Sequence, residues 1–394
     1  MPIFTGLDRL LRNPKPLAGR RFGLLAHGAS VTEDLRPAHV AFAASKAGAP
    51  AVLFGPEHGY YGVEQDMVAS VRETDPMTGA QILSLYGDDA DSLVPSADAF
   101  AGLDVLVIDL QDVGSRYYTY AATAVWAAEV AIQNGVEAWI LDRPNPLGGS
   151  TIEGGGRGPG FSSFVGAFDT PVRHGLTLGE IVRLEGKRRR WDEAGLQVFT
   201  MAGWRRTQLW PDLGRPWIAP SPNMPSFDTA VVYPGGCLLE ATTLSEGRGT
   251  TRPFLLFGAP GIDAKRLADA LTERRPPGLA FVPTYFKPQF QKHAGAVCGG
   301  VEVVVKDPRA ARPYRWGIEV LRLIHQLFPE AFGWRTAAYE FVTDRPAIDL
   351  LTGGDGFRLA LESADPDALN DWLCSWPPEE ANFRRERQSI LLYA

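Results

Sequence analysis

A chain of 394 residues with 45% hydrophobic, 22% charged and 10% aromatic residues can bury one large core or two medium ones, and neither a disordered nor a fibrous protein fits that composition. Its 39 basic residues against 46 acidic ones leave a formal charge of −7, and no basic block extends beyond Lys187–Arg190. A nucleic-acid partner and an anionic-membrane surface are therefore not expected, which leaves small molecules or neutral polymers. Cys237, Cys298 and Cys374 lie far apart with no paired-ligand spacing, so neither a structural zinc nor a disulfide framework organises the fold. No apolar stretch reaches the roughly 18 residues of a membrane span. The segment Met1–Arg21 carries charges throughout and lacks the apolar core of a signal peptide; a cytoplasmic location is expected, or a periplasmic or secreted one if a leader has been trimmed.

Four segments of the first 150 residues share one grammar. Phe22–Ala26, Ala51–Phe54, Val105–Ile108 and Ala138–Leu141 are short apolar runs, each followed at once by polar, glycine or proline residues. Such runs read as parallel strands buried on both faces. Between them, Pro37–Gly48 and Tyr120–Gly135 space alanine, valine and tryptophan helically and stop at glycine. The alternation predicts an α/β fold with an open, doubly wound parallel sheet, whose ligands bind outside the carboxyl ends of the strands. His27-Gly28-Ala29-Ser30 follows the first strand where a dinucleotide site would need its glycine fingerprint, and no GxxxxGK[ST] occurs, so no nucleotide cofactor is expected.

Gly148–Gly160 holds seven glycines in thirteen residues, the composition of a mobile loop and a candidate lid. Leu178–Arg190 predicts an amphipathic helix whose basic end is a solvated cap, and Leu196–Thr200 a further strand. Prolines crowd residues 211–228, which places a boundary there and divides the chain into 1–220 and 221–394. Beyond it Leu255–Phe257, Phe281–Tyr285, Gly300–Val305 and Arg358–Ala360 read as strands, with Asp263–Arg274 and Trp316–Phe328 as helices: a second, smaller α+β domain.

The polar clusters at strand ends carry the candidate chemistry. Glu57 and His58 stand between Gly55-Pro56 and Gly59, where tight turns would aim both side chains into the crevice. A carboxyl beside apolar walls and tyrosines is the setting in which a general acid works near neutral pH, although the same residues would serve as a helix-start carboxylate and a core histidine. Glu64 and Asp66 follow. After the third run come Gln111, Asp112, Arg116, Tyr117 and Tyr118; rings that cover sugar C–H faces beside acids, amides and guanidinium groups in the plane are what a saccharide site uses. Asp112 could equally cap a helix. Asp142, Arg143 and Asn145 belong to a segment stiffened by Pro144 and Pro146, and Asn223 lies between Pro222 and Pro225. The loop 240–254 brings Glu240, Thr242, Glu246, Arg248 and Arg252 among glycines, and residues 283–298 gather Tyr285, Lys287, Gln291, Lys292 and His293. No HExxH or other metal spacing and no GxSxG elbow is present, so neither a metal nor a serine nucleophile is expected.

In order along the chain, FGPEHGYYGVEQD (54–66), DLQDVGSRYYTY (109–120), LDRPNPLGG (141–149), SPNMP (221–225), YPGGCLLEATTLSEGRGTTRPF (233–254) and PTYFKPQF with CGGVEVVVKD (283–307) resemble the exo-acting β-N-acetylmuramidases, bacterial glycoside hydrolases. The resemblance runs from about Thr5 to Tyr393. It implies a Rossmann-like domain and a smaller C-terminal domain with the active-site cleft between them. It further implies release of terminal N-acetylmuramic acid from peptidoglycan-derived muropeptides or disaccharides; with no metal or nucleotide signature present, no cofactor is expected. The family's favoured catalytic glutamate falls on Glu57, expected to be the general acid. The second role is open among Glu246, Asp112, Glu64 and the 2-acetamido oxygen of the substrate. Arg116, Arg143, Arg248 and Arg252 are candidates for the lactyl carboxylate, with Arg248 first because glycines flank it. The competing expectation is a muropeptide or sugar-acid binding protein that uses the same cleft without turnover.

Overall fold

The computed structural model describes residues 2–64, 73–85 and 91–394. The apolar runs of the first half become strands of one sheet: β1 (Phe22–Ala26), β2 (Val52–Gly55), β3 (Glu73–Thr74), β4 (Gln81–Ser84), β5 (Val105–Asp109), β6 (Glu137–Leu141) and β7 (Leu196–Phe199). They lie in the order β3-β4-β2-β1-β5-β6-β7, parallel except for β3 at the edge. Without that edge strand the order is the dinucleotide-fold arrangement, with its switch point between β1 and β5.

Side chains alternate across each strand, and both faces are covered. Helices α1 (Gly6–Arg12) and α2 (Ala38–Ala43) bury Leu7, Leu10 and Phe42 on one face with Leu24, Val105 and Val107. On the other face, α3 (Tyr120–Gln133) and α4 (Leu178–Arg189) pack with Leu106 and Ile108. Thr5 with Asp8 and Thr177 with Glu180 form reciprocal caps at the starts of α1 and α4, satisfying amides the helices leave open.

The second half holds α5 (Phe227–Gly236), β8 (Leu256–Ala259), α6 (Ala264–Glu273), β9 (Leu279–Phe286), β10 (Cys298–Val305), α7 (Pro313–Leu327), α8 (Ala347–Thr352), α9 (Gly356–Glu362), α10 (Ala368–Cys374) and α11 (Trp376–Glu386). Strands β8-β10-β9 form an antiparallel sheet, onto which α6 turns Ala264, Leu267, Ala268 and Leu271, a helical stripe. The chain end then returns to the first sheet: Tyr393 donates its hydroxyl to Asp142 and the Leu392 amide donates to Glu180 at 2.8 Å.

Two expectations change. Arg358–Ala360 lies inside the helix α9, where three apolar-flanked residues had too short a pattern to separate helix from strand. Gly148–Gly160 is no lid: the amides of Gly154 and Gly156 donate to Glu380 and Glu379 on α11 at 3.0 and 2.8 Å, and side-chain-free positions are needed where Arg206 and Tyr314 press on Gly149 and Gly154. The basic end of α4 is ion-paired, Arg188 to Glu185 and Glu386, Arg189 to Glu129. Among the described residues no helix is long and apolar enough to cross a membrane.

At the switch point the strand ends are tied together. Arg143, after β6, makes a two-pronged ion pair with Asp109 at 2.6 and 2.7 Å, both side chains buried. Its Nη2 also reaches the Val31 carbonyl at 3.1 Å. Burial raises the pKa of Asp109 in spite of this cation. Removing one partner of such a pair strands the other charge, so Arg143→Ala is expected to lose about 3–5 kcal/mol of stability in denaturant unfolding. Unchanged stability with lost substrate binding would instead make Arg143 a ligand-binding residue.

Candidate active site

The crevice at the switch point is itself filled. Gln111 donates its amide to His27 Nε2 at 2.9 Å, and His27 Nδ1 meets the Pro220 carbonyl at 3.1 Å. Burial pushes the His27 pKa down to about 3, with the Arg143 charge adding to it, so the ring is neutral and donates from Nδ1. Tyr120 donates to the same Pro220 oxygen at 2.8 Å. These bonds anchor residues 220–224, which carry Ser221, Asn223 and Met224 to the edge of an open cavity of about 380 Å³ between the two halves.

From the first half the cavity takes Glu57, His58, Tyr117, Tyr118, Thr119 and Val165; from the second, Tyr233, Glu240, Glu246, Arg248, Phe254, Gln291, Lys292, Arg335, Tyr339, Glu340 and Phe341. Glu57 arrives there because β2 ends in a tight turn: an added Cβ on Gly55 would lie 2.5 Å from the Tyr60 amide nitrogen, and His58 takes a left-handed φ of 71°. The Thr119 hydroxyl donates to Glu57 Oε2 at the N-terminus of α3, where the helix dipole favours a negative charge. Tyr117, Tyr118 and Phe254 surround Tyr233, with ring centroids 6.2, 6.1 and 4.9 Å away, an aromatic wall of the kind that covers sugar faces.

Of the residues singled out in the sequence, Glu57, His58, Tyr117, Tyr118, Asn223, Glu240, Glu246, Arg248, Gln291 and Lys292 meet in this cavity. The others do not line it. Gln111 donates to the carbonyls of Asp112 and Pro144, both at 2.8 Å. Asp112 accepts the Gly114 amide at 2.6 Å, and burial raises its pKa to about 7. Arg116 donates to the carbonyls of Gly155, Thr170 and Leu351. Asp142 holds Thr177, the Gly179 amide and Tyr393, and Asn145 bridges Leu147 and Leu176. Thr242 bonds the Leu239 carbonyl, Arg252 pairs with Glu302, Tyr285 is 69% exposed, and His293 binds the Thr243 carbonyl at 2.7 Å. Glu64 also stands off the lining, and Asp66 lies outside the described residues.

Sequence motifs gave no sign of Arg335, Tyr339 and Glu340; Glu340 sits on a short turn closed by the bridge between Tyr339 and Val342, and Arg335 lies on the segment leading to it. One structural signal marks Glu340. Nine described non-glycine residues have positive φ, and five of these, His58, Phe254, Gln291, Glu340 and Phe341, line this one cavity. Left-handed backbone costs a side-chain-bearing residue on the order of 1 kcal/mol or more, and such strain gathers at functional sites.

Charge in the cavity is arranged unequally. Arg248 binds Glu240 at 2.8 Å and lies 3.9 Å from Glu246; Lys292 binds Glu246 at 2.9 Å; Tyr339 donates to Glu240 at 2.9 Å. Arg335 donates to the Ala338 carbonyl and lies over the Tyr339 ring, but has no ion-pair partner among the described residues, and its buried Nε has no hydrogen-bond acceptor. Glu340 is pushed up to about 8, first by burial and then by the neighbouring charge of Glu57. A larger concavity of about 530 Å³ lies between Gly155–Gly158 and α11, yet its Arg188, Glu379 and Asp169 are spent on protein partners. Among the described residues no three metal-ligating side chains cluster.

Residues 22–228 match the family described as "Exo-beta-N-acetylmuramidase NamZ, N-terminal" and residues 231–393 its C-terminal counterpart. The chain is 37% identical over 394 residues to the peptidoglycan beta-N-acetylmuramidase NamZ of Bacillus subtilis (strain 168), covering 99% of this chain and 91% of that protein. The chain belongs to the NamZ exo-β-N-acetylmuramidase family. A crystal structure of a DUF1343 family protein from Bacteroides fragilis superposes with a TM-score of 0.86 at 30% identity, covering 100% of this chain and 99% of the other. A second one from that organism shares the fold with a TM-score of 0.74 at 24% identity, again covering 100% and 99%.

In this NamZ-family cavity Lys292 is a structural cation. It reaches Glu246 and the carbonyls of Leu239 and Leu244 at 2.9 and 3.0 Å. Lys292→Met is expected to cost about 2 kcal/mol in thermal or chemical unfolding, since it leaves these acceptors without their charged donor; an unchanged midpoint would show that water replaces the ammonium.

Proposed function

We propose that this protein is an exo-β-N-acetylmuramidase that releases terminal N-acetylmuramic acid from peptidoglycan-derived disaccharides or muropeptides, in the cavity around Glu57. The observation that carries this reading is the meeting of Glu57 with three further carboxyls, an aromatic wall and an uncommitted guanidinium in one cavity, within a chain of the NamZ family. A cavity of about 380 Å³ lies at the small end of ligand sites, a size that suits one terminal sugar rather than the interior of a polymer.

Glycoside hydrolysis needs a proton on the departing oxygen and a base or nucleophile at the anomeric carbon. Glu57 is one of these two groups. Glu57→Gln keeps the volume and the Thr119 contact but can neither give nor take a proton. It is expected to fold normally and to lose about 10²–10⁴ in kcat on an N-acetylmuramyl disaccharide. Tight binding of that disaccharide by the wild type with no turnover would favour the binding-protein reading instead.

N-acetylmuramic acid differs from N-acetylglucosamine by its lactyl carboxylate, which must find a cation in a cavity already holding four carboxyls. Arg335 suits this task, because the charges of Arg248 and Lys292 are engaged by Glu240 and Glu246. A desolvated carboxylate–guanidinium bond contributes about 1.5–3 kcal/mol. Arg335→Ala is therefore expected to lower the kcat/KM ratio of N-acetylmuramide to N-acetylglucosaminide roughly tenfold to a hundredfold, while Arg248→Ala weakens both substrates alike. A ratio that falls only in the Arg248 variant would move carboxylate recognition to Arg248.

A further inference from the structure

Glu340 has a set of features that no packing role explains. Its backbone is left-handed at φ 49°, and Phe341 after it is left-handed at 64°, a turn that glycine would take without strain. The side chain it holds in place gains no compensating bond among the described residues: Oε2 is buried without a hydrogen-bond partner there. Glu340 lines the cavity from the second half while Glu57 lines it from the first, and the two are close enough for the charge of Glu57 to act on Glu340. Strain kept for an unsatisfied carboxyl that faces another carboxyl is the pattern of a group held for a reacting atom.

We propose that Glu340 is the second catalytic carboxyl of this site and protonates the departing glycosidic oxygen, while Glu57 accepts the proton of the attacking water. The inference rests on the muramidase reading above and replaces the expectation that Glu57 is the acid. The groups facing Glu340 are Glu57, Glu240, Arg248, Arg335 and Tyr339. The two guanidinium groups favour its charged form, but burial and the two glutamates outweigh them, so the carboxyl keeps its proton at neutral pH. Glu57 stands at the N-terminus of α3 with the Thr119 hydroxyl donating to it, the setting of a proton acceptor, so the two carboxyls divide the acid and base roles. In the step, the glycosidic C–O bond breaks as the Glu340 proton passes to the leaving oxygen. Water adds to the anomeric carbon and gives its proton to Glu57. The products are the free sugar and the aglycone alcohol; the proton returns from Glu57 to Glu340 through solvent, so that one water is consumed.

The test is the leaving-group dependence of two isosteric variants. A disaccharide needs protonation of its leaving oxygen, whereas an aryl N-acetylmuramide with a strongly acidic phenol does not. E340Q is expected to lose about 10²–10⁴ in kcat on the disaccharide and less than tenfold on the aryl substrate; E57Q is expected to fail on both. In the wild type, kcat/KM on the disaccharide should fall above about pH 8, as Glu340 loses its proton, and should show no such limb on the aryl substrate. That profile serves even if E340Q does not fold. Equal losses on both substrates in E340Q, full disaccharide activity in E340Q, or an alkaline limb shared by both substrates would each overturn the assignment. A wild-type protein that cleaves neither substrate would instead remove the muramidase reading.

Discussion

The buried ion pair between Arg143 and Asp109 decides where chemistry can take place in this fold. An open α/β sheet offers its ligand crevice where the strand order reverses, between β1 and β5. Here the protein fills that crevice with its own groups: the Arg143–Asp109 fork, the neutral His27 between Gln111 and Pro220, and the Tyr120 hydroxyl. The same bonds fix the crossing segment that leads to the second half, so the cavity forms one step outward, between the ends of β2 and α3 and the loops of the second half.

That displacement explains the electrostatics of the cavity. Its floor is assembled from two halves of the chain, and its four carboxyls, Glu57, Glu240, Glu246 and Glu340, come from three separate segments. Arg248 and Lys292 neutralise the pair from the loop after α5, a structural use of charge that holds the loop in shape. Glu57, Glu340 and Arg335 line the same cavity with no ion pair of this kind among the described residues. The ionisable groups are thus sorted by partner: those with short ion pairs shape the site, and those without them are the ones we propose meet the sugar.

Much of this was legible in the sequence. Buried strands betray themselves as unbroken apolar runs, and the turn Gly55-Pro56-Glu57-His58-Gly59 announces a side chain aimed outward. Polar density near strand ends proved a poorer guide. Asp142, Arg143, Asn145 and Arg116 stand in rich clusters, yet each is engaged by protein partners, Arg116 and Asn145 by backbone groups and Asp142 and Arg143 largely by side chains, because polar groups at strand ends need partners as much as ligands do. Arg335 and Glu340 gave no signal, since their segment, WRTAAYEF, has neither glycine nor proline to mark a turn. Their left-handed or crowded positions are imposed by tertiary contacts, which no local pattern records. The glycine-rich segment 148–160 misled for the opposite reason: its glycines serve close packing against Arg206, Tyr314 and α11, and composition alone does not distinguish tightness from freedom.

The central claim is that the cavity shared by the two halves binds the terminal sugar between Glu57 and Glu340. A crystal structure of the Glu57→Gln variant soaked with an N-acetylmuramyl disaccharide tests it most directly. The expected result is the anomeric carbon flanked by residues 57 and 340, the glycosidic oxygen within hydrogen-bond reach of Glu340, and the lactyl carboxylate on Arg335. A sugar seated instead in the groove beneath α11, or with its glycosidic oxygen turned away from Glu340, would contradict it.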